Sequence, residues 1–139
     1  MGKKIKVVFD TNVWISIFME EVLYDEFSKA KQDLIVYVSN DIVIEISKAL
    51  LYPKIARILS KNSIRQKDVL RVIAENSKIV EPTMRLDVVN EDAEDNKILE
   101  CALAAGADII VSGDKHLLKL GKFRKTRILP PSEFFRHRK

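Results

Sequence analysis

The chain has 139 residues, of which 47% are hydrophobic and 32% charged, and 24 Lys and Arg against 20 Asp and Glu give a net charge of +4. One soluble domain over residues 1–139 is expected, because a chain of this length buries roughly two thirds of the surface that its unfolded form exposes. The lone Cys101 excludes an internal disulfide and a cysteine-rich zinc site, and no apolar run approaches the ~20 residues of a membrane-spanning helix.

The start of the chain lacks the pattern of a secretory signal. Only three consecutive apolar residues, 7–9, follow the basic residues before Asp10, which is too short for the apolar region of such a signal. Together with the single cysteine, this predicts a reducing compartment and therefore a cytoplasmic protein without membrane contact.

Five short segments are predicted to be strands, because they are rich in β-branched residues and bounded by turn or cap residues. They are 5–9, 34–38, 78–81, 108–112 and 126–129. Helices are predicted between them from start and stop signals. The start signals are Asn40, Pro53, Ser63 with Gln66, and Asp92 with Asp95, and the stop signals are Gly106 and Gly121. Alternating strands and helices favour an α/β fold with three layers and a central, mostly parallel sheet of about five strands.

Charge is distributed unevenly along these elements. Residues 54–78 hold seven Lys or Arg against two acids, and residues 122–139 hold seven against one. The stretch 81–95 between them holds six acids and one Arg. A polyanionic partner such as a nucleic acid accounts for this pattern, and so does a set of solvated helix faces.

Two acids follow predicted strands. Asp10 comes directly after the first strand, and Asp114 stands in the same relation to the fourth. In open parallel sheets this edge is where ligands bind. Each Asp is equally well explained as the N-cap of the next helix, a role worth ~1 kcal/mol.

Two further acids lie on the apolar faces of predicted helices. Glu45 is three residues after Ile42 and four before Ala49, and Asp95 is three residues before Ile98. Residues at these spacings share one helix face, and an ionised carboxylate buried there alone is heavily penalised. The pattern therefore points both side chains toward the sheet, beside the acids at the strand ends.

Four carboxylates in one cleft require a cation, since like charges a few ångströms apart raise one another's pKa. Oxygen ligands without Cys or His select Mg²⁺ or Mn²⁺. Two such ions about 4 Å apart would activate a water and stabilise the leaving oxygen during attack on a phosphodiester. The four acids are therefore candidate metal ligands and catalytic residues.

Four segments of the chain resemble PIN domains, most of all the single-domain VapC-like proteins of toxin–antitoxin pairs. They are VFDTNVW at 8–14, NDIVIEISKALLYPK at 40–54, EDAEDNKILECALAAGADIIVSGDKHLL at 91–118 and ILPPSEFF at 128–135. The resemblance covers nearly the whole chain and implies a metal-dependent ribonuclease with a parallel α/β sheet. By position it assigns the family's four acids to Asp10, Glu45, Asp95 and Asp114.

The resemblance also suggests neighbours for these acids. Thr11, Asn12 and Ser112 match small polar positions of the family, a pattern typical of residues that orient ligands and waters. Asp92 is either an accessory acid or only a helix cap. Asn96 is either a substrate contact or an ordinary first-turn residue.

The partners implied are an RNA substrate, a cognate antitoxin and a second copy of the chain. Trp14 and Phe18, four residues apart, predict either core packing or a homodimer interface. The predicted RNA contacts are basic side chains, namely Arg57, Lys61, Arg65 and Lys115.

Two other functions stay open on the sequence alone. One is a PIN-like module that binds RNA or protein without cutting, although carboxylates that repel phosphate would not help such a module. The other is an aspartate-nucleophile phosphatase, which normally needs a second acid two residues after the nucleophile. That position is Asn12, and this function leaves Glu45 unexplained.

Overall fold

One to three helices separate most of the strands in the computed structural model, which describes residues 2–89 and 93–136. They are β1 (Ile5–Phe9), α1 (Thr11–Met19), α2 (Glu21–Ala30), β2 (Leu34–Val38), α3 (Asn40–Ala49), α4 (Pro53–Lys61), α5 (Gln66–Glu75), β3 (Lys78–Ile79), α6 (Ala93–Ala105), β4 (Ile109–Val111), α7 (Lys115–Leu120), β5 (Lys122–Phe123), β6 (Thr126–Leu129) and α8 (Pro131–Arg136). A short 3₁₀ turn, Lys31–Asp33, leads into β2.

The strands form one sheet in the order β3-β2-β1-β4-β6-β5. All pairs are parallel except β5 with β6. In the central strand β1, Val8 lies opposite Tyr37 of β2 and Ile110 of β4. The chain runs outward from β1 to β3 and then returns to the other side of β1, so a crevice is expected between the ends of β1 and β4.

The predicted α/β class with a mostly parallel sheet is confirmed. The sequence missed one strand, β5, which has only two residues and pairs antiparallel with β6 across a tight turn. Arg124 in that turn has a φ of 54°, a conformation that has no sequence signal in a non-glycine residue. The predicted strands 78–81 and 108–112 are shorter at one or both ends in the structure.

Two predicted helix caps are wrong. Helix α3 is capped by Ser39, whose Oγ accepts a hydrogen bond from the backbone N–H of Ile42 at 3.3 Å, and Asn40 is already helical. Helix α5 begins at Gln66, and Asp68 accepts from the backbone N–H of Arg65 at 3.0 Å. Ser63 cannot act as that cap, because it lies in the turn after α4 with a φ of 59°.

The core beside β1 is aromatic. Phe9 and Trp14 are fully buried with ring centroids 5.1 Å apart, and Phe27 lies 5.8 Å from Trp14. Phe134 and Phe135 of α8 close this cluster. Trp14 is therefore a core residue and provides no exposed surface for a homodimer.

Cys101 lies in the core on α6. Burial raises the pKa of its thiol to about 12, although a hydrogen bond with Ser39 opposes the shift. The thiol is therefore protonated at neutral pH and unreactive, as its position in an apolar helix predicts.

No helix in the part of the chain that the structure describes combines the length and the apolar character needed to cross a bilayer.

Candidate active site

Asp10 stands at the carboxyl end of β1, and its two oxygens have different partners. Oδ1 accepts a hydrogen bond from the backbone N–H of Val13 at 2.8 Å and so caps α1. Oδ2 accepts a hydrogen bond from the hydroxyl of Ser112. The backbone N–H of Asp10 donates to the carbonyl of Val111 at 3.1 Å, so the residue is fixed against β4. Asp10 is a helix cap and a member of the crevice at the same time.

The surroundings of Asp10 disfavour its charge. Burial raises the pKa of this carboxyl above its ordinary value of 3.8, and the nearby charge of Asp114 raises it further. The hydrogen bonds from Ser112 and Val13 act in the opposite direction and are outweighed. A cation in the crevice would favour the ionised form, because an opposite charge within a few ångströms lowers a carboxyl pKa.

Ser112 links the two strand-end acids. Its side chain is fully buried; its hydroxyl donates to Asp10 and accepts from the backbone N–H of Asp114 at 3.0 Å. Asp114 in turn caps α7, since its Oδ1 accepts from the N–H groups of His116 at 2.8 Å and Leu117 at 3.3 Å. Ser112 therefore orients the carboxylate of Asp10 and fixes the backbone of Asp114 beside it.

One cavity of about 250 Å³ contains all four predicted acids. Glu45 enters it from α3 and Asp95 from the first turn of α6, where Asp95 is buried. Thr11 and Asn12 of α1 also line this cavity, which we call the carboxylate cavity. The structure thus brings together residues that are up to 104 positions apart, Asp10 to Asp114.

Four further residues of the carboxylate cavity were not predicted from the sequence as site residues, namely Ala49, Tyr52, Glu94 and Ile98. Ala49 and Ile98 share helix faces with Glu45 and Asp95, which is a signal that spacing carries. Tyr52 lies in a turn and has no periodic signal. Glu94 is a fifth acid, which the sequence indicated only as part of the acidic stretch 81–95.

The carboxylate cavity has the donor chemistry of a hard divalent cation. All its charged lining residues are acids, and oxygen donors of this kind suit Mg²⁺ or Mn²⁺. Within residues 2–89 and 93–136, no group of three or more His, Cys, Asp or Glu side chains is arranged to hold a metal ion. Mg²⁺ is usually bound through only one or two carboxylates, with waters and substrate phosphates completing its shell, so the cavity fits an ion of that type.

Asn96 lies outside the carboxylate cavity. Its Oδ1 accepts hydrogen bonds from the N–H groups of Val88 and Val89, both at 2.9 Å, and its Nδ2 donates to the carbonyl of Val89 at 2.9 Å. One turn later, Glu100 accepts from the N–H of Leu86 at 2.9 Å. These two buried side chains fasten residues 86–89 to α6, so the contacts of Asn96 are structural ones.

The four predicted RNA contacts are exposed and lie outside the carboxylate cavity. Arg57 and Lys61 are on α4, and Lys115 begins α7. Arg65 forms an ion pair with Asp68 at 3.1 Å. Asp92, the remaining predicted site residue, lies outside the described residues.

Comparison with known proteins defines the family. A family model described as "PIN domain" matches residues 6–116. The chain therefore belongs to the PIN domain family. An uncharacterized protein of Methanocaldococcus jannaschii, MJ1680, is 32% identical over 126 residues, which are 84% of this chain and 76% of that protein.

Two solved structures share the fold. VapBC2 from Rickettsia felis, bound to a DNA fragment from its promoter, superposes with a TM-score of 0.59 at 12% identity, over 89% of this chain and 97% of the other. PAE2754 from Pyrobaculum aerophilum superposes with a TM-score of 0.64 at 17% identity, over 96% and 94%. The chain is thus a PIN domain with a VapC-like fold.

Proposed function

We propose that the protein is a Mg²⁺- or Mn²⁺-dependent endoribonuclease that hydrolyses phosphodiester bonds in the carboxylate cavity. The observation that carries this proposal is the meeting of Asp10, Glu45, Asp95 and Asp114 in one cavity at the switch point of a parallel sheet. Membership of the PIN domain family supports the nuclease class. The metal and the RNA substrate are inferred from the donor chemistry and the charge pattern.

The four acids fall into two pairs in this proposal. A bound ion would supply a water of lowered pKa and neutralise the charge that develops on the phosphate. Asp10 and Asp95, the two buried acids of the carboxylate cavity, would hold the ion. Glu45 and Asp114 would complete its shell or orient its waters, and Ser112 would keep Asp10 and Asp114 in register.

The purified protein is expected to cleave single-stranded RNA only when Mg²⁺ or Mn²⁺ is present, because the acids repel phosphate without a cation. The measurement is cleavage of a labelled RNA with each metal, with chelator, and with metal restored. A Glu45→Gln variant purified identically controls for contaminating ribonucleases. Cleavage that survives chelation in the wild type and is absent from the variant would contradict the metal dependence. Metal-dependent RNA binding without any cleavage would favour the non-catalytic module.

The basic stretch 54–78 is expected to supply much of the salt dependence of RNA binding. Each phosphate contact adds about −0.7 to the slope of log affinity against log salt for a single strand. Neutralising Arg57, Lys61 and Arg65 together should flatten that slope, with Arg65 contributing least because Asp68 already pairs with it. The measurement is RNA affinity at several salt concentrations with Ca²⁺ as the metal.

The matched control is a triple variant of the second basic stretch, in which Arg136, Arg138 and Lys139 are neutralised. It shows whether RNA binding depends on the particular side chains of residues 54–78 or only on the net charge of the protein. Equal flattening in both variants would show that only the net charge matters. An unchanged slope in both would show that the positive charge is a solvated surface.

The biological role that we propose is that of a toxin in a toxin–antitoxin pair, as in the VapC-like branch that the chain resembles. The shared fold with VapBC2 supports this role. This role implies a cognate antitoxin, which a small reading frame directly upstream in the genome would encode. It also implies that the protein acts in the cytoplasm, where we propose that it is a homodimer. Growth arrest on expression of the wild type, relieved by co-expression of the neighbouring frame, tests it.

The aspartate-nucleophile phosphatase is disfavoured by the same geometry. A phosphatase of this class normally needs an acid two residues after its nucleophile Asp10, and this position in the carboxylate cavity is Asn12. The phosphatase mechanism also gives no role to Glu45, which lines the same cavity.

A further inference from the structure

Tyr52 is an exposed aromatic residue at a cavity otherwise rich in acids. It lines the carboxylate cavity together with Asp10, Glu45, Asp95 and Asp114, and 54% of its surface is accessible. What distinguishes Tyr52 from the other exposed tyrosine, Tyr24, is its place beside the acids, where the ring is free to contact a ligand in the cavity.

The backbone holds Tyr52 in a fixed position. It lies in the short turn between α3 and α4, and its N–H donates to the carbonyl of Ala49 at 3.1 Å. Its own carbonyl accepts from Ala56 at 2.8 Å and starts α4. Pro53 follows directly and restricts Tyr52 to the extended conformation observed, with φ −61° and ψ 132°. Leu50, which is 1% exposed, anchors the turn in the core.

The phenol hydroxyl is not needed for this arrangement. Within residues 2–89 and 93–136 no hydrogen bond joins it to another group. The backbone of the turn, and not the hydroxyl, therefore keeps the ring at the cavity. Ala49 and Ile98 are the other apolar residues of the cavity, so the ring is part of an apolar wall beside the acids.

We propose that Tyr52 is a stacking residue for an unpaired nucleobase next to the phosphate in the carboxylate cavity. The proposal rests on the proposed function and specifies its substrate as single-stranded RNA, because a base inside a duplex has no free face. Aromatic side chains beside a phosphate site bind single strands in this manner, without strong sequence preference.

The helix that follows supports this assignment. Lys54, Arg57 and Lys61 of α4 are all exposed, and their spacings of three and four residues place them on one helix face. A strand whose base stacks on Tyr52 could therefore continue along these cations with its phosphates. The ring of Tyr52 and the basic side chains of α4 would then form one continuous RNA-binding surface that begins at the acids.

The test compares Tyr52→Ala and Tyr52→Phe, with Tyr24→Ala as the matched control. Tyr24 is an exposed tyrosine of α2 that lines a different cavity, beside Phe18. Affinity for a short single-stranded RNA is measured with Ca²⁺ by fluorescence anisotropy. Tyr52→Ala should weaken binding about 5- to 100-fold, the range that loss of one base–aromatic stack gives. Tyr52→Phe and Tyr24→Ala should bind like the wild type.

Abasic positions in the same RNA separate stacking from a structural role of Tyr52. If the ring contacts a base, loss of that base lowers the affinity of the wild type, whereas a structural role predicts no such link between one base and Tyr52. One abasic position should weaken binding to the wild type and have no further effect on Tyr52→Ala. Equal loss in the Phe and Ala variants, or an abasic effect that persists in Tyr52→Ala, overturns the stacking role. If Tyr52→Ala binds normally while the wild type cleaves RNA, stacking is wrong and the nuclease stands. A wild type that neither binds nor cleaves RNA overturns both.

Discussion

The Asp10→Asn variant is expected to lose metal-dependent cleavage by about 100-fold or more, since a bound metal supplies several kcal/mol of charge stabilisation and each 1.36 kcal/mol is tenfold in rate. The fold should survive. Asn keeps an oxygen that can accept from Val13 and cap α1, and its amide can donate to the oxygen of Ser112. The measurement is the cleavage rate with saturating Mg²⁺ or Mn²⁺.

The same variant should gain stability without metal or leave it unchanged. Because the pKa of Asp10 is raised in the folded protein, the folded state keeps its proton while the unfolded state loses it. Stability of the metal-free wild type therefore falls as the pH rises above 3.8, the ordinary pKa of the Asp carboxyl, toward the raised pKa of the folded protein. Asp10→Asn should remove this contribution, which urea unfolding at pH 4 to 7 would detect.

Asp25→Asn is the matched control, because Asp25 is an exposed acid on α2 and does not line the carboxylate cavity. It should keep full activity and the pH dependence of the wild type, whereas Glu45→Gln should lose activity as Asp10→Asn does. Unfolding of Asp10→Asn or Glu45→Gln would show that these acids are structural, and full activity in either would remove it from the metal site.

The Asn96→Ala variant is expected to be less stable by about 3 kcal/mol, because a buried backbone group left without a partner costs about 1–3 kcal/mol. The affected groups are the N–H groups of Val88 and Val89 and the carbonyl of Val89. Asp95 is the preceding residue on α6, so cleavage should fall as well. Urea unfolding gives the first quantity and the cleavage rate the second.

Asn62→Ala controls for the loss of an asparagine in general. Its Nδ2 also donates to a backbone carbonyl, that of Ile58 at 2.8 Å, but in an exposed setting where water can replace it. It should lose about 0.5 kcal/mol or less, as surface substitutions usually do. Similar losses in the two variants would show that residues 86–89 do not depend on Asn96.

The order of elements was predictable because it depends on periodic patterns. The strands 5–9, 34–38 and 126–129 were predicted with the bounds that the structure has. Caps were less predictable, because Ser39 and Asn40 are both good cap residues in sequence and tertiary packing selects between them. The sequence offered no periodic pattern for β5, whose two residues pair through a turn with a positive φ at Arg124.

The acids of the candidate site were predictable from two separate rules. Asp10 and Asp114 follow strands, and Glu45 and Asp95 interrupt apolar helix faces, so neither pair needed long-range information. Tyr52 was not predictable, because its place beside the acids depends on the turn after α3. The structural contacts of Asn96 depend on residues 86–89, a segment without regular structure.

The hydrogen bond between Ser112 and Asp10 joins residues 102 positions apart, and this separation determines when the cleft can form during synthesis. At roughly 5–20 residues per second, several seconds pass between the emergence of Asp10 and that of its partners. Until then β1 can pair with β2 alone, and Asp10 lacks Ser112, Asp114 and Asp95. A nascent chain therefore cannot assemble its four-acid cleft before Ser112 and Asp114 have been synthesised, so any chemistry in this cleft is delayed until β4 has been added to the sheet.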